Sequence, residues 1–259
     1  MHWILQENLI NPNTRNQVEM LLRERGISYT LARLVPIADV LAEDIAVPSG
    51  PLFAYGSTGI GEVAKAKGWV PGYFDENLDY RMMLQNYGQH CLNAGAVVDT
   101  LKALEPVWAE FFIRPVFDNK SFAGEVMTRA ELETFRQGVA RVDNGEFVTL
   151  HMTDLVLAAP LTRIQEEYRF FVIDGVVVTG SRYKVGDRVI SSSQVPAEVL
   201  RFAQERAGQW SPNKAYALDI ARTPDGLKVI ELNSANSAGF YGCDIGAIID
   251  AVNASLGYP

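Results

Sequence analysis

Apolar and polar positions change period along the chain in a way that separates strands from helices. Trp3-Ile4-Leu5 is a short apolar run and reads as a strand. Thr14-Arg15-Asn16-Gln17 fits a capping box, and Val18, Leu21 and Leu22 follow at helical spacing. Tyr29 to Val35 and Pro51 to Tyr55 read as strands, and Gly56-Ser57-Thr58-Gly59-Ile60-Gly61 opens a short helix. This β-α-β-β-α order over residues 1–77 predicts a small doubly wound α/β module. Residues 78–105 read as helix with a break near Asn93-Ala94-Gly95. Trp108 to Pro115 and Ser121 to Met127 predict a hairpin. Thr128 to Gln137 predicts a helix that starts on a second capping box, Thr128 with Glu131. Phe147 to Met152 and Leu155 to Leu157 predict strands.

The last third repeats one pattern. Arg169 to Ile173 and Val176 to Ser181 predict a hairpin closed by Asp174-Gly175, a favoured type I′ pair. Pro196 to Gln204 predicts a helix with Pro at its start. Ala215 to Ala221 and Leu227 to Asn233 flank Pro224-Asp225-Gly226, where Pro presets φ and Gly accepts a positive one. A final helix is predicted from Ile245 to Leu256. Hairpin, helix, hairpin, helix is an α+β lobe. The expected divisions are residues 1–77, 78–163 and 164–259.

Composition narrows the class. The chain has 259 residues, 48% of them hydrophobic and 10% aromatic, which fits a well-packed globular protein of two domains or one large one. A net charge of −8 gives no general electrostatic footprint for nucleic acid, so phosphate binding must come from a few local cations. Cys91 and Cys243 lie far apart, make no disulfide framework and fit a reducing cytoplasm. Cys243 is either a small buried side chain or a thiol beside the Gly-rich segment before it. No apolar run approaches the ~18 residues that a membrane helix needs, so no membrane partner is expected.

The candidate chemistry sits on the last hairpin. Residues i and i+2 of a strand share a face. Glu231 and Asn233 therefore point the same way, and pairing across the turn brings Asp219 towards them. Two carboxylates and an amide oxygen make a hard-oxygen site that suits Mg²⁺ and leaves room for substrate phosphates. The alternative is a set of solvated strand carboxylates. Ser234 to Gly242, which follows, is small, polar and Gly-rich, and can approach a ligand closely. Gly56 to Gly61 is either an anion-binding turn or only a tight strand-to-helix connection; it lacks the Gly-Lys-Ser/Thr ending of a P-loop. His2, His90 and His151 match no metal motif, and His151 reads as a strand residue.

An aspartate on one strand followed about a dozen residues later by Glu-x-Asn, here Asp219 and Glu231-Leu232-Asn233, resembles the metal site of the ATP-grasp enzymes. The resemblance extends over residues 108–245. Phe112-Ile113-Arg114-Pro115 with Asp118 to Gly124 is similar to the phosphate-gripping strand and loop. Leu155 to Leu161 is similar to the stretch bordering the adenine, and Glu167 to Gly175 to the strand that opens the C-terminal lobe. The implied fold is an N-terminal α/β (pre-ATP-grasp) module followed by two α+β lobes gripping MgATP. The implied activity is carboxylate–amine ligation through an acyl phosphate, with ATP, Mg²⁺ (two ions) and small carboxylate and amine substrates as partners. The alternatives are a small-molecule kinase and a non-catalytic nucleotide-binding module.

The resemblance also implies roles. Asp219, Glu231 and Asn233 hold metal. Arg114, in place of the usual lysine, acts on phosphate with Lys120, Ser121 and Gly124. Val156, Leu157 and Ala158 border the base. Glu166 and Glu167 meet ribose hydroxyls or the metal site, or else form a solvated acidic pair. Arg169, Arg182 and Lys184 are the cations of the second lobe. Arg182 and Lys184 should share a face, and Arg169 and Arg182 are the candidates for stabilising the transferring phosphoryl group. The alternative for all three is exposed strand cations.

Overall fold

The structure, a computed structural model, describes residues 1–36, 38–117, 121–143, 145 and 149–257. Its first unit alternates strand and helix: β1 (His2–Gln6), α1 (Pro12–Glu24), β2 (Tyr29–Ala32), the short pair β3 (Leu34–Val35) and β4 (Val40–Leu41), β5 (Leu52–Tyr55), α2 (Thr58–Lys67) and β6 (Pro71–Gly72). Strands β2-β1-β5-β6 form one parallel sheet. Both its faces are covered, as parallel sheets require. Trp3, Leu5 and Phe53 face one core, while Ile4, Ala54 and Ile60 face another. Helix α1 begins earlier than the Thr14 capping box predicts. Asn11 is the cap, accepting from the Asn13 N–H at 3.1 Å, because Asn11-Pro12 offers both a capping side chain and Pro in the first turn.

The middle of the chain holds α3 (Tyr80–Tyr87), β7 (Val97–Thr100), β8 (Glu110–Pro115), β9 (Glu125–Thr128), α4 (Arg129–Val142) and β10 (Leu155–Ala159). The long helix predicted over 78–105 is not formed. It stops at Tyr87, and Val97–Thr100 becomes an edge strand paired with β10. The β-branched Val97-Val98 pair, following the Asn93-Ala94-Gly95 break, carries that preference. Sheet order is β7-β10-β8-β9. The Thr128–Glu131 capping box forms in both directions and starts α4. The predicted strand Phe147–Met152 falls partly outside the described residues. His151 itself sits in a turn, with its N–H on the Asp154 carboxylate at 2.8 Å and its ring on Asp143 at 3.0 Å.

The C-terminal unit is a five-stranded antiparallel sheet, built from β11 (Glu166–Ile173), β12 (Val176–Val185), β13 (Arg188–Ser192), α5 (Ala197–Gln209), β14 (Ala215–Thr223) and β15 (Gly226–Ser234), and closed by α6 (Ile245–Leu256). The strand order is β13-β12-β11-β14-β15. Asp174 and Gly175 take φ of 50° and 77°, the left-handed values that a type I′ turn needs. One face of the sheet, with Tyr168, Phe170 and Leu218, packs on α3 and α5. On the other, Phe171 and Ala217 join α6 and the N-terminal sheet in a single core with Trp3, Phe53 and Val252.

A buried asparagine fastens these units together. Asn236 is fully buried just after β15. Its Nδ2 donates to the carbonyls of Ala54 (2.6 Å) and Gly72 (3.2 Å), its Oδ1 accepts from the Phe74 N–H (2.9 Å), and its carbonyl accepts from the Gly56 N–H (3.0 Å). Asn236→Ala strands three backbone groups in a dry seam, at about 1–3 kcal/mol each when unsatisfied. Urea unfolding of this variant is expected to lose about 3 kcal/mol with an unchanged m-value. A loss under about 1 kcal/mol would show that the seam relaxes around the gap.

Candidate functional site

The metal-type triad converges on one sheet face as its register requires. Arg169 pairs with Asp219, Asp219 with Glu231, and Ala217 with Asn233. A bulge at Ile230 keeps Glu231 opposite Asp219. Asp219 is 1% exposed, and each of its oxygens takes an Arg169 N–H, Nε at 2.8 Å and Nη2 at 2.6 Å. Arg169 also donates Nη1 to the Gly239 carbonyl at 3.2 Å and lies 4.0 Å from Glu231. Glu231 accepts from Arg114 Nη1 and from Asn233 Nδ2, both at 3.1 Å. Arg114 on β8 therefore reaches across from the other lobe to the triad.

Charge at this face is set by burial against cations. Burial pushes the Asp219 carboxyl up to about 6, against the pull of Arg169. Burial also opposes the charge on Glu231, but Arg114, Asn233 and Arg169 together hold its pKa below the ordinary carboxylate value. The donor set fits a hard divalent cation. Glu231 is half-buried at the cavity edge, the acceptors are carboxylates and an amide, and each carboxylate oxygen keeps a lone pair beyond the one given to an arginine. Among the described residues no cluster of three or more His, Cys, Asp or Glu side chains could hold a metal ion, so the site depends on the amide of Asn233 and on Asp219 sharing itself with Arg169.

A cavity of about 1060 Å³ opens beside the triad, between the middle and C-terminal sheets. One part is apolar, with Phe112, Phe117, Phe122, Leu161, Ile164 and Ile230. The other is polar, with Arg114, Glu167, Lys184 and Glu231. A flat apolar slot leading to a cationic, carboxylate-bearing end suits a base at one end and phosphates with a metal at the other. Gly124 lines it because nothing larger fits: a Cβ there would lie 2.5 Å from the Phe112 ring. Ser121 is half-buried next to the lining residue Phe122. Lys120, with Asp118 and Asn119, lies outside the described residues.

Several expected positions resolve differently. Arg182 and Lys184 do not share a face. Tyr183 is an extra residue in a β-bulge, since Tyr168 pairs with Arg182 and Glu167 with Lys184. The bulge sends Arg182 to Glu166 at 2.6 Å, on the sheet face away from the cavity, where Glu166 is also held by Tyr168 and Arg222. Neither Arg182 nor Glu166 lines the cavity. Lys184 and Glu167 stay on the cavity side as an ion pair at 2.7 Å, with the Tyr183 hydroxyl on the same carboxylate. The side chains of Val156, Leu157 and Ala158 are core, and the cavity lining begins at Pro160. Gly56 to Gly61 is a tight turn into α2, with the Ser57 N–H and hydroxyl both on Gln6 at 2.8 Å. Cys243 is buried and its thiol is pushed up to about 11 by that burial, so it is no nucleophile at neutral pH.

Two aromatic residues enter the site unannounced by the sequence. Tyr183 stacks on Tyr241 with ring centroids 4.6 Å apart, and the Arg169 guanidinium lies 5.8 Å and 5.0 Å from those centroids. The bulge that places Tyr183 leaves no mark in the alternation of β12. Tyr241 falls in the Gly-rich segment already expected to approach a ligand.

The comparisons agree with this geometry. No curated protein matches the sequence. Solved structures share the whole fold at low identity. A RimK domain ATP-grasp protein from Sphaerobacter thermophilus superposes with a TM-score of 0.64 at 14% identity, covering 96% of this chain and 98% of that one. The D-alanine–D-alanine ligase of Bacillus anthracis, complexed with ATP, gives 0.61 at 14% identity, covering 98% and 95%. The ATP-grasp ligase PsnB, complexed with minimal precursor, Mg and ADP, gives 0.56 at 16% identity, covering 98% of each chain. A family profile described as an ATP-grasp domain, family 3 of its clade, matches residues 62–252, most of the chain. With the triad, the cross-lobe arginine and the cavity between two sheets in place, this chain belongs to the ATP-grasp proteins, in family 3 of that clade.

Proposed function

We propose that this protein is an ATP-dependent carboxylate–amine ligase that works through an acyl phosphate. The observation that carries the reading is the meeting of Arg114, Arg169, Asp219, Glu231 and Asn233 at the polar end of the cavity. ATP would lie with its base among Phe112, Leu161 and Ile230 and its phosphates towards Arg114, Lys184 and Lys120. Asp219, Glu231 and Asn233 would hold Mg²⁺, two ions with Glu231 between them. When bound, the metal neutralises phosphate oxygens. Arg114 orients the phosphates by a forked cationic contact. Arg169, fixed by Asp219, presents charge where the γ-phosphoryl group transfers. A substrate carboxylate oxygen bonds to the γ-phosphorus, ADP leaves, and an amine then displaces phosphate from the acyl carbon. The segment Ser234 to Gly242 borders the acceptor. A likeness to a D-alanine–D-alanine ligase and to PsnB supports the ligase class and leaves the acid and amine open.

Arg182 has no part in this reading, because it faces Glu166 on the far side of the sheet. The kinase reading uses the same cations and would stop at the phosphorylated substrate. Incubation with MgATP, pooled amino acids and hydroxylamine separates the two. Hydroxamate formation with ADP release is expected of the ligase. A stable phosphorylated product without hydroxamate would establish the kinase instead.

A further inference from the structure

Resting on the ligase reading, we propose that Tyr241 keeps water from the phosphoryl-transfer end of the cleft and so decides between the acceptor and water. Tyr241 takes φ of 49°, a left-handed value that a bulky residue adopts only at a cost in strain. Burial does not offset that cost, since the side chain is 49% exposed. Its neighbours are fixed on both sides. Phe240 stacks on Tyr55 at 5.6 Å, and a Cβ on Gly242 would lie 3.0 Å from the Ser191 hydroxyl and 3.1 Å from the Ser192 nitrogen. What the strained backbone secures is one placement: the ring against Tyr183 at 4.6 Å and beside the Arg169 guanidinium at 5.0 Å.

Tyr183 lines the cavity, and Tyr241 stands behind it towards solvent. The stack is therefore a wall two rings thick. Asp219 and the Gly239 carbonyl engage the N–H groups of Arg169, and the aromatic rings flank its plane. Without the Tyr241 ring, solvent reaches the guanidinium that faces the transferring group. Water is the competing nucleophile there. Its oxygen would bond to the γ-phosphorus, the bond to the β–γ bridging oxygen would break with its electron pair on ADP, and the water proton would go to solvent. Excluding that water is a recognised task of closed transfer sites.

The test uses Tyr241→Gly and Tyr241→Phe in the full chain, with MgATP and no added acceptor. Glycine accepts φ of 49° without strain, so Tyr241→Gly is expected to fold with a melting point within a few degrees of wild type. Phosphate release by Tyr241→Gly is expected to rise about fivefold or more, and Tyr241→Phe to match wild type. Unchanged or slower release by the folded glycine variant would overturn the role. So would loss of the MgATP-induced thermal shift in that variant, because the ring would then be a binding determinant. A wild-type protein with no MgATP shift would overturn the ligase reading itself and this role with it; a normal wild-type shift with an unaltered glycine variant would overturn only the role of Tyr241.

Discussion

Glu231→Gln is expected to abolish ATP turnover while the protein stays folded. Glu231 is the one residue that touches both lobes of the proposed machinery, through Arg114 at 3.1 Å and Asn233 at 3.1 Å, and it lies 4.0 Å from Arg169. Gln keeps the shape and one acceptor oxygen but removes the charge that would bind metal and balance two arginines. Losing one preorganised electrostatic group at a transfer site typically costs about 10²–10³ in turnover, and a loss of at least a hundredfold is expected. Stability should change little, because the side chain sits at the cavity edge rather than in the core. Near-normal ADP release by a folded variant would refute the metal assignment.

Asp219→Asn is expected to lower stability by about 3–5 kcal/mol, the range for breaking a buried ion pair by removing one charge. Arg169 is 6% exposed and would keep its charge with only Glu231 near it. The Asn amide would also turn a donor towards the guanidinium donors. A melting-point drop of about 10 °C or more follows, at roughly 2–4 °C per kcal/mol for a chain of this size. The pair as a whole is a different matter. Burial pushes the Asp219 carboxyl up to about 6 in spite of Arg169, so the attraction does not recover the cost of desolvation. Replacing both residues together, with Asp219→Leu and Arg169→Met, should recover most of the loss. A single variant that loses under about 1 kcal/mol, or a double variant no better than the single, would contradict this account of the pair.

The parts of the fold that were legible were those set by local chemistry. The Thr128–Glu131 box, the Asp174-Gly175 turn and the hairpin of β14 and β15 each declare themselves within a few residues. Helix α6 was expected from Ile245 to Leu256 and is found there. The triad was legible because period 2 and one turn place Asp219, Glu231 and Asn233 on a common face. What failed depended on distant partners. Val97–Thr100 is a strand because β10 pairs with it, a contact made across more than fifty residues of chain. The bulge at Tyr183 moved Arg182 off the site and Tyr183 into it, and nothing in the order Arg182-Tyr183-Lys184 announces that shift. Asn236 passed for an ordinary loop residue because its four partners on the N-terminal sheet lie over 160 positions away in sequence.

The central claim is a cleft that takes nucleotide and metal together, and a thermal-shift titration tests it most directly. The polar end carries Glu167, Asp219 and Glu231 in a chain of net charge −8, so ATP without metal meets repulsion that offsets Arg114 and Lys184. At about a hundredfold excess over its dissociation constant a ligand adds ~2.7 kcal/mol of stability, which moves the melting point by several degrees. The account predicts that shift with ATP in Mg²⁺ and little or none with ATP in EDTA. Equal shifts in both would contradict the metal-binding triad, and no shift with ATP under either condition would contradict the nucleotide cleft itself.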